Sequence, residues 1–361
     1  MQLASLYLKD FRCFTEQFIE LDKPVIVFEG LNGSGKTSLL EAIHYLCYLR
    51  SFRTYSPREL LRFGQESFFV RASLRTTHGN LSELHEIQAG FSGKRRLVKI
   101  DQRAISSYKE LMDHYRVISL TEDDIALIKE GPEVRRTFID QALMLADASF
   151  GTTLRTLRHV VENRNALLQQ GSYTSAELAV WTQQLWEHSR IVQQQRMHFL
   201  QLLEAETNQL LSTFVDSTLR ITFTYQAKAD PLSDFDQFMV HTAHSLAHEG
   251  RYGRSLFGAH LDDFIITFQD KRSKTYSSRG QQKLLIVLVK LAQVKLLLAH
   301  KGPAIFLLDD FMTDFDEQRA TQLSGALANL GSQLIFTSPT AGGLLSTMLA
   351  GVDFKRIVLT N

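Results

Sequence analysis

The segment Gly30-Leu31-Asn32-Gly33-Ser34-Gly35-Lys36-Thr37 brings three glycines, a lysine and a hydroxyl into one short stretch, followed by Ser38. Its spacing, glycine, four residues, then Gly-Lys-Thr, is that of a phosphate-binding loop. The glycines open backbone conformations closed to other residues, so that successive N–H groups converge on an anion at the positive end of the following helix. Lys36 supplies a charge for the β- and γ-phosphates, and Thr37 a hydroxyl ligand for Mg²⁺. Gly30 through Ser38 are therefore the expected nucleotide-binding residues, with ATP and Mg²⁺ as cofactors.

A second set of groups lies far down the chain. Ala304-Ile305-Phe306-Leu307-Leu308 is an apolar run ending in Asp309 and Asp310. An ATP site needs such carboxylates opposite its phosphate loop. Asp309 is the expected Mg²⁺ ligand, and Asp310, one residue further on, the group that orients the attacking water; with Lys36 they form the expected catalytic set. Upstream, Ser278-Arg279-Gly280-Gln281 opens an apolar helix, where the hydroxyl, the backbone N–H groups and the helix dipole all address an anion. Thr313-Asp314-Phe315-Asp316 follows the twin acids.

These groups need elements to hold them. Val25-Ile26-Val27-Phe28 reads as a buried strand, and the residues from Ser38 start an amphipathic helix that ends at Arg50-Ser51-Phe52-Arg53. Arg50 and Arg53 either complement the dipole at that helix end or reach a nucleotide or DNA. Leu3, Leu6 and Leu8 and then Gln17 to Leu21 give two short strands before the loop. From Phe68 to Ile118 short alternating segments separated by turn residues predict antiparallel hairpins. One of these carries Lys94, Arg95, Arg96 and Lys99, the expected DNA contacts, or else a solvated basic tip.

Near Thr121 the period becomes helical, and from Glu133 to Phe214 the chain is almost free of glycine. Leu219 to Tyr225 alternates as a strand returning to the first domain, and strands then alternate with helices to the end, as in a parallel sheet. The expectation is an α/β fold whose head, with a mixed sheet and an antiparallel β subdomain, spans 1–120 and 219–361. Residues 121–218 form an inserted helical domain.

Composition sets bounds. The 361 residues carry 40 Lys and Arg against 39 Asp and Glu, so nucleic-acid binding has to come from local basic patches. Cys13 and Cys47 lack metal-ligand spacing, and no charge-free run is long enough to span a bilayer. A cytoplasmic protein with no membrane partner is expected.

The order of phosphate loop, Ser-x-Gly-Gln helix start and twin acids resembles ATP-binding-cassette (ABC-type) P-loop ATPases. In those, the serine element of one subunit closes over the γ-phosphate held by another, so the resemblance implies an ATP-dependent homodimer. More closely, the chain resembles the RecF family of bacterial DNA replication and repair proteins. The shared residues are Leu8 to Arg12, Arg50 to Thr54, Gly131-Pro132, Arg135 to Asp140, Arg164 to Leu168, Trp181 with Leu185, Gly253 to Leu256, then Gly258, His260, Asp262 and Asp263, Ser278 to Gln282 and Leu307 to Asp310. That resemblance implies an ATP-dependent DNA-binding protein that dimerises on duplex DNA near single-strand gaps. It also implies work with RecR and RecO to load RecA, slow hydrolysis that releases the dimer, and a lid at Glu122 to Gly131. Thr337 and Ser338 stand where many such ATPases place a phosphate sensor.

The chain departs from the family pattern at Ala259, a usual proline, and at Leu261, a usual arginine. Glu122 replaces another proline, Glu130 a glycine, and Arg279 puts a cation inside the signature. Alternative readings are a transporter nucleotide-binding subunit, a structural DNA binder with little hydrolysis, and a small-molecule kinase.

Overall fold

The computed structural model describes all residues except 55, 79–80, 94, 106–109, 112–114, 172, 229–233, 311–314, 340–343 and 361, and the backbone alone at 77, 78, 81, 344 and 347. In chain order the strands are β1 (Gln2–Phe11), β2 (Phe14–Glu20), β3 (Val25–Glu29), β4 (Ser67–His78), β5 (Leu81–Ser92), β6 (Arg95–Ile100) and β7 (Arg103–Ala104). They continue with β8 (Val117–Leu120), β9 (Ile221–Gln226), β10 (Asp263–Phe268), β11 (Lys271–Arg272), β12 (Ile305–Leu308), β13 (Gln333–Ser338) and β14 (Phe354–Val358). Two compact units result: Met1–Asp124 with Leu210–Ser217 and Lys283–Asn361, and Ile125–Gln209 with Thr218–Gln282.

The first unit holds two sheets. An antiparallel one runs in the order β2-β1-β4-β5-β6-β7, which contains the hairpins expected from the alternation between Phe68 and Ile118. Leu3, Leu6 and Leu8 of β1 are all buried, although strict alternation turns Leu3 away from the other two. A register shift against β4 between Leu3 and Ser5 makes Ala4 an extra residue, and the strand changes phase there. The other sheet is parallel, in the order β14-β3-β13-β12-β8. Its central strands are buried throughout, as continuous apolar runs such as Val25 to Phe28 require. Helix Lys36–Tyr48 packs on strands of both sheets, which accounts for burial around nearly its whole circumference.

The second unit is mainly helical. Helices Pro132–Ala146, Phe150–Gln170, Phe235–Tyr252 and most of Ser175–Phe214 belong to it. Phe150, Leu157, Leu185, Val192, Phe238 and Phe257 form its core. Beside them sits a buried polar network: Arg164 pairs with Glu249 at 2.5 Å and donates to Ser255 and Thr182. The strand expected to return to the head at Leu219 does not do so. β9 pairs antiparallel with β10 in a separate three-stranded sheet, and residues 218–282 cluster with the helices. Alternation identifies a strand but not its partner, and here the partner is β10, beyond the helix Phe235–Tyr252. Asp263 of β10 is held by Arg135 through two hydrogen bonds of 2.6 and 2.9 Å.

Candidate nucleotide site

All five strands of the parallel sheet point the same way, so the turns after β3, β8, β12 and β13 leave from one edge. In open α/β sheets that carboxyl edge is where ligands bind. A cavity of about 370 Å³ opens there, lined by Asn32 and Thr37 after β3, Thr121, Glu122 and Asp123 after β8, Asp309 and Asp310 after β12, and Pro339 after β13. Phe52 and Arg53 complete the wall.

The phosphate loop has the backbone its glycines anticipate. Gly33 and Gly35 have φ of 89° and 95°. A Cβ on Gly35 would strike the Phe14 ring and Cys13 Sγ at 2.6 and 2.7 Å, and one on Gly30 would meet the Leu359 carbonyl at 2.8 Å. Gly30 and Gly35 are therefore fixed by close approach. Lys36 Nζ donates to the Gly30 and Leu31 carbonyls at 2.8 and 3.1 Å, and Ser34 and Ser38 are buried in the loop and the first helical turn.

Opposite the loop, the Thr37 hydroxyl donates to Asp309 Oδ1 at 3.0 Å, and the Thr337 hydroxyl donates to the same oxygen at 2.8 Å. Burial pushes the Asp309 carboxyl up from its ordinary value, while these hydrogen bonds pull it down. The hydroxyl of Thr37 and the carboxylate of Asp309 are the hard oxygen donors that Mg²⁺ takes, its remaining ligands normally being phosphate and water. Among the described residues no group of three or more His, Cys, Asp or Glu could hold a metal by itself.

Arg53 is at the cavity because its loop hangs from the helix that starts at Lys36. Ser51 donates to Glu41, the Arg53 N–H donates to the Ser51 hydroxyl at 2.8 Å, and His44 contacts the Arg50 carbonyl at 3.0 Å. Glu41 was not among the expected site residues. The signal was available as a carboxylate set among Leu39, Leu40, Ala42 and Ile43, and a buried group of this kind is retained only when it is paired.

The remaining expected site residues lie elsewhere. Ser278, Gly280 and Gln281 belong to the second unit, whereas the described lining residues of the cavity all belong to the first. Ser278 and Gln281 form a reciprocal cap: the Gln281 N–H donates to Ser278 Oγ at 3.3 Å and the Ser278 N–H to Gln281 Oε1 at 2.8 Å. The basic cluster on β6 is divided by the strand's period of two. Lys99 sits in a cross-strand row with Gln88, Arg71, Tyr7 and Phe18 on the solvent face, and Arg95 shares that face. Arg96 aligns with Phe91 and Phe68, both buried, on the other face. Lys94, Thr313 and Asp314 lie outside the described residues.

The model of the family described as RecF/RecN/SMC N terminal domain matches residues 2–354. The chain belongs to this family. Among its relatives, the DNA replication and repair protein RecF of Geotalea daltonii is 27% identical over 345 residues, which cover 94% of this chain and 93% of that protein. The same-named protein of Synechococcus sp. strain JA-3-3Ab is 29% identical over 371 residues, with 99% and 96% covered. A solved structure of the recombination mediator protein RecF-ATP in the RecFOR pathway superposes with a TM-score of 0.82 at 26% identity, covering 95% of this chain and 94% of that one. The Smc head domain of Pyrococcus furiosus, at 15% identity and a TM-score of 0.58, shares the fold.

At Ala259, where the family resemblance leads one to expect proline, the N–H donates to Ser189 Oγ at 3.1 Å, a bond that proline lacks the donor to make. The Ala259 carbonyl accepts from Arg196 at 2.6 Å.

Proposed function

We propose that the chain is an ATP-dependent DNA-binding protein of recombinational repair, working as the RecF relatives' names describe. The observation that carries this is the 3.0 Å contact between Thr37 and Asp309, which brings the phosphate-loop hydroxyl to a carboxylate 272 residues away. Gly30 to Ser38 hold the triphosphate of ATP, with Lys36 at its β- and γ-phosphates. Thr37 and Asp309 are the residues that would hold Mg²⁺, which when bound offsets charge on the phosphates. Asp310 orients a water for slow hydrolysis, and Arg53 adds positive charge at the cavity wall. The RecF-ATP structure supports ATP as the nucleotide.

The finer assignment follows the family resemblance. Head and helical insertion act as two domains. Ser278, Gly280 and Gln281 of one copy close over the nucleotide of another, so ATP drives a homodimer. Duplex DNA near a single-strand gap is gripped through Arg95 and Lys99 on the solvent face of β6, and RecR, with RecO and RecA beyond it, is the partner. No helix among the described residues is long and apolar enough to cross a membrane. Lys36→Ala tests the reading: loss of ATP binding and of an ATP-dependent increase in size, measured on and off a gapped duplex, is the expected result. Unchanged nucleotide affinity overturns it.

A further inference from the structure

We infer that Thr337 is a positioning residue that fixes the twin acids in register with the phosphate loop, in place of sensing phosphate itself. The inference rests on the nucleotide reading above. β13 lies between β3, which runs into the phosphate loop, and β12, which runs into the acids. Its carboxyl end touches both. The Ser338 carbonyl accepts the Gly30 N–H at 3.4 Å, and the Thr337 hydroxyl donates to Asp309 Oδ1 at 2.8 Å while accepting the Asp310 N–H at 2.8 Å.

A hydroxyl has one proton to give. The Asp310 N–H points its own proton at Thr337 Oγ1, so the hydroxyl proton is directed to the twin carboxylates, to Asp309 Oδ1 at 2.8 Å and at a longer 3.4 Å to Asp310 Oδ1, and the one proton a phosphate would need is already given to the protein. Thr337 is 4% exposed, and its β-branch restricts rotation about χ1, which keeps the oxygen aimed. On the acid side the arrangement holds two things at once. Asp309 Oδ1 is gripped by Thr337 and Thr37. Asp310 sits at φ 42°, a left-handed conformation unusual for a non-glycine residue, and its N–H is anchored on Thr337. The acids are thus oriented through a residue that is not itself at the cavity wall.

Thr337→Val keeps the shape and removes the hydroxyl; Thr337→Ser keeps the hydroxyl and removes the methyl. Three quantities decide: ATP affinity, the manganese affinity of the ATP-loaded protein, and steady-state turnover. For Thr337→Val, ATP affinity stays within about threefold of wild type, while manganese affinity and turnover each fall about tenfold or more. For Thr337→Ser, both return to within about threefold of wild type. Wild-type manganese affinity in the valine variant overturns the inference, as does a serine variant as impaired as the valine one. A protein that turns over no measurable ATP is still decided by the manganese measurement. Lys36→Ala run in parallel separates the two failures, because retained ATP affinity there removes the nucleotide reading, whereas a silent Thr337→Val beside an inactive Lys36→Ala removes only the role of Thr337.

Discussion

Arg12 and Glu41 form a two-pronged ion pair, with Arg12 Nε and Nη2 each 2.7 Å from a different carboxylate oxygen. The Glu41 side chain has 0% of its surface exposed and Arg12 22%. Arg12 also donates to the Glu59 carbonyl, and Ser51 donates to Glu41. One acid, on the helix that begins with Lys36 and Thr37, therefore holds the turn between β1 and β2 and the loop bearing Phe52 and Arg53. Removing it leaves a partly buried guanidinium unpaired. Glu41→Ala is expected to lower unfolding free energy by about 3 kcal/mol in denaturant titrations and to weaken ATP binding as the Arg53 loop loosens. A change within about 0.5 kcal/mol would show that the pair is dispensable.

The phosphate loop, the acidic strand end and the hairpins were legible because each is local: glycine spacing, an apolar run and period-two alternation are all read within a dozen residues. Sheet membership was not. The alternation of β9 marks a strand with one buried face but gives no hint of whether its neighbour is β10 or a strand of the head. Arg95, Arg96 and Lys99 formed one cluster by position, but the pleat divides them. Thr337 was visible only as a hydroxyl after a strand. Its two partners directly follow β12, and that adjacency is a property of strand order, which is set by the whole chain.

The divided cluster gives a discriminating test on DNA. Arg95 and Lys99 share the solvent face of the antiparallel sheet with Arg71, and Arg96 lies on the opposite face. Charge reversal at Arg95 and Lys99 together is expected to weaken duplex binding and to reduce the slope of log affinity against log salt by about two. Arg96→Glu leaves that slope within about half a unit of wild type. Equal losses from both variants would place the DNA on the strand's end and not on its face.

Ala259→Pro introduces the residue that the family resemblance leads one to expect and is expected to cost stability here. The proline ring removes the N–H that Ser189 accepts and leaves a hydroxyl, only 3% of whose residue is exposed, without that donor. A loss of about 1–3 kcal/mol in unfolding free energy is expected, and Ser189→Ala in the same background should recover part of it. A proline variant as stable as wild type would mean that this hydrogen bond contributes nothing net.

His260 carries a pH dependence of known sign. Burial first, and then the charges of Arg136, Arg164 and Arg196, bring its pKa down from 6.5 to about 4. Between these values the unfolded chain binds a proton that the folded chain does not, so stability rises with pH. The contribution is complete above about 6.5 and disappears as pH falls toward 4. From pH 7 to pH 4.5 the ring's share of the loss is about 2 kcal/mol. His44, also lowered to about 4, adds its own loss in the same window. The difference between wild type and His260→Gln isolates His260: the variant's unfolding free energy should fall less steeply on acidification, and parallel curves would refute the assignment.

Asp310→Asn separates holding ATP from cleaving it. The side chain lines the cavity, while its backbone N–H is bonded to Thr337. An amide of the same shape keeps that backbone bond and so leaves Asp309 where Thr37 and Thr337 hold it. What it loses is the negative charge with which Asp310 orients and polarises water. ATP affinity is expected to stay within about threefold, turnover to fall about a hundredfold, and the ATP-dependent dimer to persist in sizing runs long after the wild-type dimer has dissociated. Wild-type turnover in this variant would assign the water to another group at the cavity, with Glu122 and Asp123, which also line it, to test next.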